Sequence, residues 1–242
     1  MIAKHIHIFW FGKSEKSDDI KKFNSTLDIL KKSGYKIFEW TEDNYDVYKN
    51  DFTTFCYNNK KWAHLSDYAR LDILFNHGGI YLDQDIEVVR NFDNLLKLNM
   101  FIGFMFDCNL GTAVIGSQKK NEHVKNILDL YDTLNISVDS PNNDLFTQYF
   151  IDKVEGFKLN GKEQMVDGIK VFPKEVFEQP SFFKKKNYTI HHFENSWREK
   201  SKFKRNFQKI VKTIIGLYFY RILMCRKSLK ISPFYQEWKK YQ

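Results

Sequence analysis

The stretch His64–Arg90, HLSDYARLDILFNHGGIYLDQDIEVVR, constrains this chain more than any other. Leu65, Tyr68, Ala69, Leu71, Ile73, Leu74 and Phe75 recur at helical spacing, which predicts a helix. Gly78 is placed to cap it in the left-handed conformation, where a missing Cβ costs nothing. Gly79-Ile80-Tyr81-Leu82 then has the length and composition of a buried strand, and it runs directly into Asp83-Gln84-Asp85. In open α/β sheets ligands collect beyond the carboxyl ends of strands. Residues two apart in an extended chain point the same way, so Asp83 and Asp85 are expected to face one small volume. Two like charges held close repel unless a cation intervenes. A hard divalent ion with oxygen ligands and phosphates is the natural remedy. Asp67 and Arg70, three apart on the preceding helix, share a face and can add to the same site.

Taken together, Ser66-Asp67-x-x-Arg70 and Gly78-Gly79-Ile80-Tyr81-Leu82-Asp83-x-Asp85 resemble the sugar-binding DXD region of family 32 glycosyltransferases, of the capsular polysaccharide synthesis type. The pattern is also similar to that of the glucosyltransferase domains of large clostridial toxins. The resemblance implies a GT-A-like fold, a single Rossmann-related α/β domain over residues 1–197. It further implies Mn²⁺ or Mg²⁺ dependence, and retaining transfer of a hexose from a nucleotide diphosphate sugar to a glycan or lipid-linked glycan acceptor. UDP-hexose is favoured over GDP-mannose.

Further segments carry the same resemblance. Phe9 and Trp10 end the first predicted strand, Ile2–Phe11, and an aromatic there stacks on the base in the toxin domains. Asn109-Leu110-Gly111-Thr112, within NLGTAVIGS, resembles the segment bordering the donor sugar, which points to Asn109 and Thr112. The closing motif His191-His192-Phe193-Glu194-Asn195-Ser196-Trp197 resembles the one in which a polar ligand completes the metal site and Ser-Trp holds the diphosphate. An imidazole suits Mn²⁺ beside carboxylates. Strand alternation sends the two histidines to opposite faces, so one of them binds, and the residue before Phe, His192, is the expected ligand. The implied set is therefore Asp83, Asp85 and His192 for metal. Asp67, Arg70 and Tyr81 join Asp83, Phe9, Trp10, Asn109, Thr112, Ser196 and Trp197 around the nucleotide sugar. Asp67 would orient sugar hydroxyls, and Arg70 would brace the diphosphate. The resemblance usually includes a Gly-Pro pair where this chain has Pro141-Asn142-Asn143-Asp144.

Other elements follow from periodicity. Ser17 or Asp18 caps a predicted helix through Lys32, with Gly34 as its stop, and Tyr35–Trp40 is a second strand. Strands are also predicted at Phe101–Phe106, Thr112–Gly116, Gly168–Phe172 and Tyr188–His192, with helices at Asn121–Leu134 and Asn143–Phe150. His5 and His7 are expected to be ordinary strand residues.

Charge is unevenly spread. The net charge of +8 conceals a tail, residues 198–242, with 13 basic and 2 acidic residues; the rest holds 25 and 28. The tail's apolar residues fall three and four apart, which predicts a basic amphipathic helix able to lie on an anionic membrane. A helix packed on the body, a dimer contact and a nucleic-acid arm remain alternatives, and no nucleic-acid motif accompanies the tail. Cys56, Cys108 and Cys225 show no paired spacing, so no disulfide framework is expected. With no signal-peptide pattern and no long apolar run, the expected location is the cytoplasm, where the tail could bring the chain to the inner face of the cell membrane. Two other readings stay open at this point. One is a metal-dependent phosphohydrolase, against which Glu87 stands where Thr or Val is wanted. The other is a non-catalytic membrane or nucleic-acid binder acting through the tail.

Overall fold

The computed structural model describes residues 1–133, 142–194 and 216–242. Its centre is a seven-stranded mixed sheet that begins as a β-α-β unit. Strand β1 (His5–Phe9) pairs in parallel with β2 (Lys36–Trp40) and with β3 (Gly79–Leu82). Two short helices, α1 (Asp18–Ser25) and α2 (Asp28–Lys32), make the first crossover. The sequence predicts one helix here. It breaks because Ser25 and Thr26 turn their hydroxyls back on the carbonyls of Lys22 and Phe23, a local bond that competes with helix continuation. Ser17 caps α1, as expected.

The second crossover runs through α3 (Asp51–Asn58) and the sixteen-residue α4 (Trp62–His77). Helix α4 ends on the glycine pair. Gly78 has φ 64° and ψ −178°, a region essentially reserved for glycine but not the left-handed helical cap that the sequence suggests. A Cβ on Gly78 would sit 2.6 Å from the Lys119 amide, and one on Gly79 2.8 Å from the His5 carbonyl. Both glycines are therefore needed for the close approach that lets β3 enter the sheet.

Strands β5 (Met100–Phe106) and β6 (Asn109–Ser117) form an antiparallel hairpin that inserts beside β3. This extends the strand predicted from Thr112 back to Asn109, so that Asn109–Gly111, expected in the connection, lie inside it. A short ribbon separate from the main sheet pairs β4 (Ile86–Val88) with β9 (Thr189–His191). Strands β7 (Gln164–Val166) and β8 (Ile169–Phe172) complete the main sheet, whose order is β2-β1-β3-β6-β5-β8-β7.

Apolar clusters cover both sheet faces. Leu65, Leu71 and Leu74 of α4 join Ile102, Phe104, Phe146 and Phe150 on one face; Ile6, Ile80, Leu82, Phe92 and Phe101 lie on the other. The first face is also covered by α5 (Glu122–Thr133) and α6 (Asn142–Lys153). Because β3 is central, all four of its residues are buried, as expected of a strand covered on both sides.

The described part of the basic tail holds α8 (Leu217–Ile231) and α9 (Tyr235–Lys239), after the short α7 at Lys174–Phe177. This part packs on the body. Phe234 enters the first apolar cluster with Trp238 and Tyr241 against it, and Cys225 is buried. Among the described residues, no helix is long and apolar enough to cross a membrane.

Candidate active site

Strands β1 and β3 run in the same direction and end together, with Ile6 opposite Ile80 and His7 opposite Tyr81. Their carboxyl ends therefore place Trp10 and Asp83 on one edge of the sheet. The Asp83 amide continues the ladder to the Ala113 carbonyl at 2.9 Å, and the Ile86 amide closes back on the Asp83 carbonyl at 3.2 Å. Asp83 and Asp85 thus converge through a tight turn rather than through the extended alternation that the sequence suggests. Gln84 locks that turn. Its amide donates to the Phe9 carbonyl at 3.0 Å and accepts from Asn24 at 2.9 Å.

The turn leads into β4, and β9 pairs with it so that Ile86 lies opposite His191. Among the described residues, Asp83, Asp85 and His191 each offer one ligand atom, and these atoms lie within 4.8 Å of one another. His191 Nε2 is 3.2 Å from Asp85, and its Nδ1 is 2.6 Å from the buried Glu178. Burial alone would lower the His191 pKa, but the carboxylates of Asp85 and Glu178 on either side outweigh it and raise it. Burial likewise works against the Asp85 carboxylate, and His191 and the Glu194 amide, 2.8 Å away, hold its pKa low.

His192, the ligand expected from the sequence, is turned away. Its Nε2 meets Glu87 at 2.9 Å and its ring stacks on Phe23 at 4.1 Å. The two faces of the ribbon do separate the histidines, as alternation requires; the strand register puts His191 on the side of the aspartates.

Two carboxylates and an imidazole form a donor set that fits a divalent cation. Glu178 strengthens the fit. A carboxylate on Nδ1 fixes the tautomer of a metal-binding histidine and leaves Nε2 as the donor. Glu178 reaches His191 only because residue 111 is glycine: a Cβ there would overlap the Glu178 carboxylate. The sequence reading passed over Glu178. Its one visible signal is the pairing of a lone acid with a glycine in a strand, too faint without the fold.

Arg70 is buried under the aspartates. Its Nη2 lies 2.7 Å from Asp67 and 3.6 Å from Asp83, Nη1 donates to the Thr112 carbonyl at 2.8 Å and Nε to the Ser66 carbonyl at 3.2 Å. The guanidinium also lies over the Tyr81 ring at 4.4 Å. With these donors engaged inward, Arg70 holds Asp67 and Asp83 in place rather than forming an open clamp for a diphosphate. Tyr81, buried too, donates its hydroxyl to Asp83. Burial pushes Asp67 up to about 6, against the pull of Arg70 and with Asp83 adding to the rise.

The remaining expectations divide. Trp10 is half-buried, with its indole N–H on the Ser14 carbonyl at 2.7 Å and Lys16 over its ring. Phe9 is buried, its side chain packed with Phe11, Tyr45 and Tyr81 in the core. Asn109 and Thr112 are buried against the start of α6. Asn109 donates to Asp144 at 2.9 Å, and Thr112 Oγ1 meets Asn143 at 3.4 Å. Asn142 in turn donates to Asp67 at 3.1 Å. The Asn142-Asn143-Asp144 run, which stands where the resemblance would have a Gly-Pro pair, therefore lies against Asp67, Asn109 and Thr112. His7 is an ordinary strand residue, as expected. It donates to the Gly78 carbonyl and accepts from Trp40, and burial lowers it to about 4. Ser196 and Trp197 lie outside the described residues.

Helix α8 reaches the same place. Arg221 donates to the His191 carbonyl at 2.8 Å, and its guanidinium sits 4.3 Å over the Phe193 ring, which stacks on His191 at 3.8 Å. The basic tail thus braces the histidine that faces the aspartates.

Residues 9–102 match the family model of the glycosyltransferase sugar-binding region containing a DXD motif. That match spans Trp10, Asp67, Arg70 and the Asp83–Asp85 turn. The structure resembles the PaToxG glycosyltransferase, with TM-score 0.51 and 21% identity over 63% of this chain and 69% of the other. That likeness gives the fold: this is a GT-A-like α/β domain. Further similarities are to a glycosyltransferase involved in the glycosylation of the major capsid of PBCV-1, with TM-score 0.45 and 12% identity over 84% of this chain and 98% of the other. Another is to apo GlyE of Streptococcus pneumoniae TIGR4, with TM-score 0.37 and 12% identity over 63% of this chain and 44% of the other. No curated protein sequence matches the chain. The DXD match supports a glycosyltransferase and, with the acidic cluster, the use of a divalent metal.

Proposed function

We propose that the protein transfers a hexose from a nucleotide diphosphate sugar, UDP-hexose before GDP-mannose, to a glycan or lipid-linked glycan in surface polysaccharide synthesis, with retention at the anomeric carbon. The observation that carries this reading is the convergence of Asp83, Asp85 and His191, with Glu178 behind the histidine, at the carboxyl edge of β1 and β3. Asp83, Asp85 and His191 would hold the cation. When bound, a divalent ion neutralises charge on a departing diphosphate.

The chain's own residues do the rest. Arg70 fixes the two acids from below, so their positions are set before substrate arrives and no reorganisation is needed as charge develops. Asp67, held between Arg70 and Asn142, is the acceptor for sugar hydroxyls. Trp10 presents an aromatic surface at the adjoining strand end for the base. Asn143 and Asp144 draw the start of α6 against Thr112 and Asn109, closing one wall of the sugar site. The histidine assignment replaces the one made from sequence. A polar ligand from the closing motif is retained, but it is His191.

The test is a panel of UDP- and GDP-hexoses incubated with the full chain and Mn²⁺, with released nucleotide read by mass spectrometry. Release from one UDP-hexose, abolished by EDTA, is expected. Hydrolysis of simple phosphomonoesters with no nucleotide-sugar turnover would contradict the proposal and favour a phosphohydrolase.

A further inference from the structure

The segment Ser181–Tyr188 does something unusual with two large apolar side chains. Phe182 and Phe183 are 56% and 78% exposed, and their rings touch at 4.2 Å. They are not at the tip of a loose loop. Asn187, fully buried below them, accepts from the Ser181 amide and hydroxyl at 2.8 and 2.6 Å and donates to the carbonyls of Gln179 and Thr189. Arg90 ties down the carbonyls of Lys185 and Asn187. Phe183 and Lys184 both take positive φ, 56° and 54°, a conformation that costs energy for side chains of this size. The backbone is strained and pinned in a way that keeps both rings outside.

Helix α8 extends the patch. Tyr218 packs edge-on against Phe182 at 5.6 Å, and beyond it Phe219 and Leu223 are 57% and 56% exposed. The charge that these two segments bring has one sign. Ser181–Tyr188 supplies Lys184, Lys185 and Lys186, and Gly216–Ile231 supplies Arg221, Arg226, Lys227 and Lys230; neither segment contains an acidic residue. Apart from Arg221, all of these are exposed. Lys184 pairs with Glu87 at one edge of the patch, and Arg221 is turned inward toward Glu178 and Asp85. The body outside the tail is net acidic.

We propose that Phe182–Lys186 and the outer face of α8 form one docking surface for an anionic lipid bilayer, with the phenylalanines entering the acyl boundary and the lysines and arginines meeting phosphate headgroups. Apolar residues ringed by cations are the signature of an interfacial surface. A second copy of the chain would bring two such basic faces together, which repel. Aliphatic Leu223 and Ile231, the latter also exposed, gain from acyl chains and nothing from the stacking that single-stranded nucleic acid would offer. The surface differs from the stripe along 198–242 that the sequence suggests. Phe203, Phe207, Ile210, Val211 and Ile214 of that stripe lie outside the described residues, and the loop at 182–186 lies outside the tail altogether.

Its position has a consequence that rests on the glycosyltransferase reading. Lys184 contacts Glu87, which pairs with His192 and stands two residues beyond Asp85 on the ribbon. A bilayer at this surface would lie beside the donor site, which suits a lipid-linked acceptor.

The test is co-sedimentation of the full chain with phosphatidylcholine vesicles, with and without phosphatidylglycerol, at about 0.1 M and 1 M salt, where the Debye length falls from about 10 to 3 Å. Wild type should bind the anionic vesicles at low salt and much less at high salt. F182S/F183S should lower the partition coefficient by roughly tenfold or more, as expected for two aromatic rings that lose a buried environment. K185E/K186E should lose binding mainly at low salt. Metal-dependent hydrolysis of the nucleotide sugar in solution should be unchanged in both variants, which reports an intact site separately from docking. Wild type that ignores anionic vesicles, or a serine variant that binds like wild type, would overturn the proposal. So would a phenylalanine dependence found in self-association or oligonucleotide binding but not in vesicle binding. If wild type binds vesicles but turns over no nucleotide sugar, docking stands and the functional reading fails.

Discussion

His191 and His192 are neighbours with the same chemistry, and each sits against a carboxylate, yet the fold gives them opposite environments. His191 lies between Asp85 and the buried Glu178, is stacked by Phe193, and is held at its carbonyl by Arg221. His192 lies on the other side of the ribbon, against Glu87 and Phe23, with Lys184 completing a surface network. The side chain that meets the aspartates is selected by strand register and by what stands behind it. Composition alone is blind to both.

The sharpest way to break this comparison is to remove the oxygen donor that His191 faces. Asp85→Asn keeps size and polar contacts but discards the charge, and is expected to lower kcat/KM for nucleotide-sugar hydrolysis by at least about 100-fold, since several kcal/mol of charge neutralisation rest on the cation. Circular dichroism should show the fold unchanged. Glu178→Gln comes next. It leaves the three proposed ligands in place and removes the carboxylate charge beside His191 Nδ1. Apparent metal affinity should fall roughly 10- to 100-fold, with activity restored at high Mn²⁺; loss that excess metal does not rescue would make Glu178 merely structural.

A third expectation concerns acid. Burial raises Asp67 to about 6, so the carboxylate proposed to accept sugar hydroxyls is progressively protonated as pH falls through that value. At saturating metal, kcat/KM should decline toward about tenfold per pH unit below 6, and Asp67→Asn should lower activity while flattening this limb. An unchanged limb in the variant would assign it elsewhere. His192→Ala is the smallest effect. It should change kcat/KM less than about threefold and cost on the order of 1 kcal/mol of stability, the scale of a partly exposed hydrogen bond with ring stacking.

Much of the fold is legible in the chain because local signals agree. The helix at 62–77, the glycine pair and the strand at 79–82 follow from periodicity and from a backbone that only glycine tolerates. The tight turn at Asp83–Asp85 was not visible, because the tie from Gln84 to the Phe9 carbonyl spans 75 residues. The end of a strand says nothing of which way Phe9 is packed, because its neighbours Tyr45 and Tyr81 come from distant elements. Glu178, Asn142 and Arg221 join the site through pairings that no local pattern encodes. Arg70 was found for its charge, yet whether it faces substrate or protein depended on the Thr112 carbonyl and Asp67 waiting beneath it.

The central claim is that the cation site is built on Asp83, Asp85 and His191. Calorimetric titration of Mn²⁺ in the presence of UDP tests it directly on wild type, His191→Ala and His192→Ala. The account predicts Mn²⁺ binding by wild type, a loss of affinity of roughly 100-fold in His191→Ala, and a His192→Ala curve that overlays wild type. Equal binding by wild type and His191→Ala, or a loss confined to His192→Ala, would contradict it.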